Sequence, residues 1–111
     1  VQWYLVAVVA APILETLLLQ LLPIEILRLF KSSLRTQIIV SCLIFASLHL
    51  LEGLGAGIVA GVVGGFYFAF TYAHWRESSF WPAIWITGLS HAIQNFIAIT
   101  AGILMSEIPY Y

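Results

Sequence analysis

The chain has 111 residues, 62% of them hydrophobic and 8% charged, with a formal net charge of −1. A soluble domain carries about 25% charged residues, so so few charges cannot cover a water-facing surface, and a soluble fold is excluded. No basic block or aromatic platform is present, so a nucleic-acid binder is excluded as well.

The apolar runs are continuous and about 20 residues long, the length an α-helix needs to cross hydrocarbon. A membrane β-barrel would instead alternate with period two. The expected class is therefore all-α integral membrane. The expectation is a bundle of about four transmembrane helices plus an interfacial amphipathic helix. Cys42 is the single cysteine, so no internal disulfide can form; in an apolar run it reads as a small buried residue. Val1 already stands inside an apolar stretch, and no signal-peptide layout of a charged n-region and a small-residue cleavage site is expected there. Residues 1–111 are expected to form one transmembrane domain, the core of a larger helical membrane protein.

The first membrane helix is predicted from about Trp3 to Leu22, with Pro12 inside it and Pro23 just beyond. Pro12 should kink the helix and free carbonyls one turn back, close to Glu15. Glu25, Arg28, Lys31 and Arg35 then recur at spacings of three and four among Ile, Leu and Phe. This segment reads as an amphipathic helix lying in the membrane surface; the alternative is a continuation of the first helix past the headgroups. The second helix is predicted from about Gln37 to Leu51, and the third from about Leu54 to Trp75. Gly53, Gly57, Gly61 and Gly65 recur every fourth residue, a GxxxG stripe that admits a second helix at close range. After the polar loop Arg76-Glu77-Ser78-Ser79, the fourth helix runs from about Trp81 or Pro82 to Met105. Pro82 suits a first turn and Ser79 an N-cap. Trp75, Trp81, Trp85, Tyr110 and Tyr111 suit interfacial belts, with a bundle-facing position open for Trp85. His74 reads as interfacial, at a helix C-terminus. The basic residues lie in the 23–36 and 76–80 connections, which the positive-inside rule puts in the cytoplasm.

Four polar residues stand out inside these spans: Glu15, His49, His91 and Asn95. An ionisable group in hydrocarbon costs about 2.5–3.5 kcal/mol on insertion scales and marks a candidate functional site. At 1.5 Å rise per residue, Glu15 lies about 10 Å, His49 about 18 Å and His91 about 14 Å from the cytoplasmic helix ends. Helix tilt covers that spread, so the three can share one layer. Asn95 stacks one turn from His91, and Phe45 one turn from His49. A buried carboxylate with an imidazole beside it can activate water, which suits Glu15 with His49. An imidazole N–H and an amide can stabilise an oxyanion, which suits His91 with Asn95. Three other readings stay open: interhelical hydrogen-bond glue, ligation of iron or zinc by Glu and two His, and a histidine axial ligand to a haem or pigment. No HExxH or CxxCH motif supports the last two.

These residues resemble the CPBP family of intramembrane proteases, which includes the CAAX prenyl endopeptidases and the bacterial Abi-type proteins linked to bacteriocin immunity. The family pattern is EExxxR after an Ala-Pro, then FxxxH, then HxxxN or HxxxD. This chain has Ala11-Pro12-Ile13-Leu14-Glu15-Thr16-Leu17-Leu18-Leu19-Gln20, then Phe45 to His49, then His91 to Asn95. The stretch Ser79-Phe80-Trp81-Pro82-Ala83-Ile84 also resembles the family's approach to its third motif. Thr16 replaces the second glutamate and Gln20 the arginine, so the first motif reads ETxxxQ. Loss of both charges together avoids leaving one unpaired in the membrane.

The resemblance implies an intramembrane endopeptidase. Glu15, assisted by His49, would activate water against a peptide carbonyl, and His91 with Asn95 would hold the oxyanion. That scheme needs no cofactor and no metal. The expected partners are membrane lipids, a peptide or membrane-protein substrate, and further helices or a larger membrane complex. The alternative is a non-catalytic or immunity-type membrane subunit on the same fold.

Overall fold

The computed structural model describes residues 1–106. It holds four helices: α1 (Gln2–Leu29), α2 (Leu34–Leu50), α3 (residues 54–76) and α4 (Phe80–Ser106). Three segments are long and apolar enough to cross a membrane: Gln2–Leu29, Gly57–Arg76 and Phe80–Ser106; Leu34–Leu50 is a shorter apolar helix. Consecutive helices pack side by side, and α4 returns against α1 to close the bundle. The described residues measure 57 × 27 × 18 Å, and large apolar side chains such as Leu14, Leu18, Val59, Val63, Leu89 and Ile97 face outward, as lipid-facing surfaces do.

The surface helix expected after Pro23 does not form as a separate element. Helix α1 runs through both prolines and ends at Leu29. The reason lies in its hydrogen bonding. Val6–Ala10 and Thr16–Leu21 are π-helical, each segment ending shortly before a proline. A π turn bonds residue i to i+5 and so takes up the irregularity that a proline forces. Ala11 N–H reaches back to Val6 O, and Leu22 N–H to Leu17 O. The carbonyl of Ala7 then has neither Ala11 nor the N–H-less Pro12 as donor, and Asn95 Nδ2 donates to it at 3.0 Å. The carbonyl of Leu19 loses its i+4 donor because Pro23 has no N–H, and Ser41 Oγ donates to it at 2.6 Å. Each proline thus ties α1 to a neighbouring helix.

Helix α1 ends in a Schellman closure: Ser32 N–H donates to Leu27 O and Lys31 N–H to Arg28 O. Lys31 sits at φ 55°, where glycine is usual. Ser33 caps α2, its Oγ accepting from Thr36 N–H at 3.2 Å. Near this end lies an apolar core of Ile24, Ile38, Ala69, Tyr72, Ala73 and Ala83. Glu25 on α1 joins it to α3, accepting from Tyr72 Oη at 3.0 Å and from Arg76 Nε at 2.6 Å.

The glycine stripe divides into two functions. Gly53, at φ 129°, makes the turn between α2 and α3 and touches nothing. Gly57, Gly61 and Gly65 lie against α2: a Cβ at Gly61 would sit 2.9 Å from Ala46 Cα, and one at Gly65 3.0 Å from Phe45 Cδ1. This close contact fixes α2, with Phe45 and His49, against α3. Trp85 faces outward, 70% exposed, rather than into the bundle. Tyr110 and Tyr111 lie outside the described residues.

Candidate active site

Glu15 ends the α-helical turn between the two π segments of α1, one turn after Pro12. His91 lies on α4 one turn before Asn95. Their side chains meet: His91 Nε2 is 3.0 Å from Glu15 Oε2. The imidazole is buried, 3% exposed, whereas the carboxylate is 32% exposed. Phe68 stacks on the His91 ring at 4.2 Å, and Phe45 approaches it at 5.7 Å. A carboxylate accepts, so Nε2 of His91 carries the proton in this contact.

His49 lies near the end of α2, its ring stacked on Phe45 at 4.2 Å. Its Nδ1 is 2.9 Å from Phe45 O. A carbonyl can only accept, so Nδ1 carries the hydrogen and neutral His49 presents Nε2 as a lone pair. The i to i+4 spacing of Phe45 and His49 produces both the stacking and this bond. Asn95 spends one amide hydrogen on Ala7 O and has a second left to donate.

Two open cavities flank the Glu15–His91 contact. One, of about 200 Å³, is lined by Glu15, His49, Glu52, Leu14, Leu18 and Leu48. The other, of about 380 Å³, is lined by His49, His91, Asn95, Gln94, Tyr67 and Phe68 among others. His49 borders both. The direct partner of Glu15 is therefore His91. His49, the partner expected for water activation, shares a cavity with Glu15 and bonds instead to Phe45 O. His91 in turn has its Nε2 occupied by Glu15, so it is not free to act as an oxyanion donor in this arrangement.

Glu52, Gln94 and Tyr67 are polar lining residues that the sequence did not single out. Glu52 lies three residues after His49 in the turn just past the end of α2, so closeness in sequence was its only signal. Gln94 stands inside the HxxxN stretch, beside Asn95. Tyr67 carried no signal, being one aromatic among many in α3. Among the described residues no three His, Cys, Asp or Glu side chains converge as a metal-binding set.

No curated protein and no solved structure matches the chain significantly. A family model described as type II CAAX prenyl endopeptidase, Rce1-like, matches residues 1–97. That match covers all three motifs and most of the chain, and the chain therefore belongs to the Rce1-like, type II CAAX prenyl endopeptidase family of membrane proteases.

Proposed function

We propose that the protein is an intramembrane endopeptidase in which Glu15 is the general base. The observation that carries this reading is the Glu15 carboxylate: one oxygen is held by His91, and the group borders a cavity shared with His49. A water in that cavity gives its proton to Glu15 as its oxygen attacks the peptide carbonyl carbon. His49 Nε2 orients the water by accepting its other hydrogen. His91 fixes the carboxylate by donating its Nε2–H to one oxygen as Glu15 alternates between base and acid. The oxyanion of the tetrahedral intermediate takes the second amide hydrogen of Asn95. The proton on Glu15 then passes to the amide nitrogen, the C–N bond breaks, and the products are a free carboxylate and an amine.

The basic residues support an orientation with the 23–36 and 76–80 connections in the cytoplasm. They gather at one end of the bundle, where Arg76 meets Glu25 and Arg28 lies 3.9 Å from Glu77.

The test is cleavage by the protein in lipid nanodiscs of a panel of membrane-anchored peptides, with and without a C-terminal prenylated cysteine motif. Glu15→Gln keeps the shape and should lower the rate about 10²–10⁴-fold, the usual contribution of a general base. Equal rates for the variant and the parent would overturn the proposal. A second reading, a non-catalytic subunit on the protease fold, draws on Thr16 and Gln20 in place of the charged family residues. It predicts no cleavage of any panel member and an unchanged cellular role after Glu15→Gln.

A further inference from the structure

Five buried polar atoms on α1 and α4 have no hydrogen-bond partner among the described residues: Thr16 Oγ1, Gln20 Nε2 and Oε1, Thr87 Oγ1 and His91 Nδ1. Their residues are buried, with Gln20 and Thr87 at 0% exposure, Thr16 at 1% and His91 at 3%. The antiparallel register of the two helices is fixed by three contacts: Tyr4 with Thr100, Ala7 with Asn95, and Glu15 with His91. Continued one turn further, that register brings Thr87 level with the Thr16–Gln20 turn. Thr87 and His91 share a helical face at i and i+4.

Elsewhere the hydroxyls of this bundle are spent on backbone carbonyls. Ser47 donates to Leu43 O, Thr71 to Tyr67 O, and Ser41 to Leu19 O. Thr16 and Thr87 have the same i−4 option and do not take it. Gln20 needs an acceptor for its amide hydrogens and a donor for its oxygen. His91, with Nε2–H directed at Glu15, needs a donor for Nδ1. A cation cannot satisfy the Gln20 amide hydrogens, and an anion cannot satisfy the His91 lone pair. Water, which donates and accepts at once, satisfies all of them, and buried waters ordinarily make about three such bonds.

We propose that ordered internal water binds in this layer, hydrogen-bonded by Thr16, Gln20 and Thr87 and donating to His91 Nδ1. The water fixes the His91 tautomer whose Nε2–H faces Glu15, so Thr16, Gln20 and Thr87 act as positioning residues. It also takes the place that the family pattern fills with a Glu and an Arg. The proposal concerns binding and does not depend on whether the chain cleaves peptides.

The test uses Thr16→Val, Gln20→Leu, Thr87→Val and the triple variant, with the whole chain in nanodiscs and thermal unfolding as the readout. If water bridges these groups, each single variant lowers Tm, because the groups that remain lose their shared partner, and the triple variant recovers to the parent value or above. If the layer is dry, each single variant raises Tm and the three shifts add; that result overturns the proposal. A second measurement covers variants that fail to fold. X-ray hydroxyl-radical footprinting of the unaltered protein should modify side chains of the 16–21 and 84–87 segments despite their burial, because radicals form from bound water. Absence of that labelling, with outward-facing residues labelled normally, overturns the proposal equally.

Discussion

If Pro12 leaves the Ala7 carbonyl without a donor, the Asn95 hydrogen bond should be needed only while the proline is present. Asn95→Leu removes the donor at 3.0 Å and leaves the carbonyl unmet at an apolar helix interface. The cost should be about 1–2 kcal/mol, between the usual value of an interhelical bond and that of an unsatisfied buried group. Pro12→Ala restores a backbone N–H one π step from Ala7. Alone it should change stability by less than about 1 kcal/mol, since Ala7 O already has a partner. Combined, the two changes should cost about 1 kcal/mol less than their sum, because the new N–H takes over the carbonyl. Equilibrium unfolding of purified protein in bicelles gives all four corners of the cycle. Ser41→Ala with Pro23→Ala is the matching cycle, built on the 2.6 Å bond to Leu19 O. Crossing the pairs, Pro12→Ala with Ser41→Ala, should be additive because the sites share no partner. Additivity within about 0.3 kcal/mol in both matched cycles would refute the account of how α1 passes two prolines.

Gly61→Ala should destabilise the fold by about 1–3 kcal/mol through overpacking, since its Cβ would meet Ala46 Cα at 2.9 Å and His49 Cβ at 3.1 Å. Gly64→Ala, whose nearest neighbour would be Phe68 at 3.7 Å, should be tolerated; the same unfolding assay compares them, and equal effects would contradict the packing described. Lys31→Gly should stabilise the protein by about 1 kcal/mol, by relieving a left-handed residue in the Schellman closure. A loss of stability there would mean that the Lys31 side chain contributes more than its backbone conformation costs.

The membrane class and the helix positions were legible because apolar runs and their lengths are local properties. Glu15, His49, His91 and Asn95 were legible because a polar group in hydrocarbon is an energetic exception that needs no alignment to see. The partner of Glu15 was not. Depth along a helix follows from counting residues, but the direction a side chain takes around the axis depends on the turn. Two π segments in α1 shift the facing of everything beyond them, by about 100° per inserted residue. The same segments carry α1 through Pro23, where a local reading breaks it. That outcome depends on Ser41, which lies 22 residues from the Leu19 carbonyl it satisfies, and no window of sequence contains both facts.

The altered first motif bears less on the reacting face than its sequence position suggests. Glu15 and Thr16 are adjacent, so their side chains leave the axis about 100° apart. Glu15 is 32% exposed and borders a cavity, whereas Thr16 is 1% exposed and Gln20 fully buried between helices. The substitutions at 16 and 20 therefore alter how α1 packs against its neighbouring helices, away from the cavity that Glu15 borders. Restoring one charge alone would bury it without a counter-ion, at a cost of several kcal/mol. A return to the family pattern thus requires both changes at once, Thr16→Glu with Gln20→Arg, and would displace whatever now satisfies Gln20. The neutral pair is a consistent solution in itself, and it leaves the Glu15 carboxylate, its His91 contact and the His49 cavity as they stand.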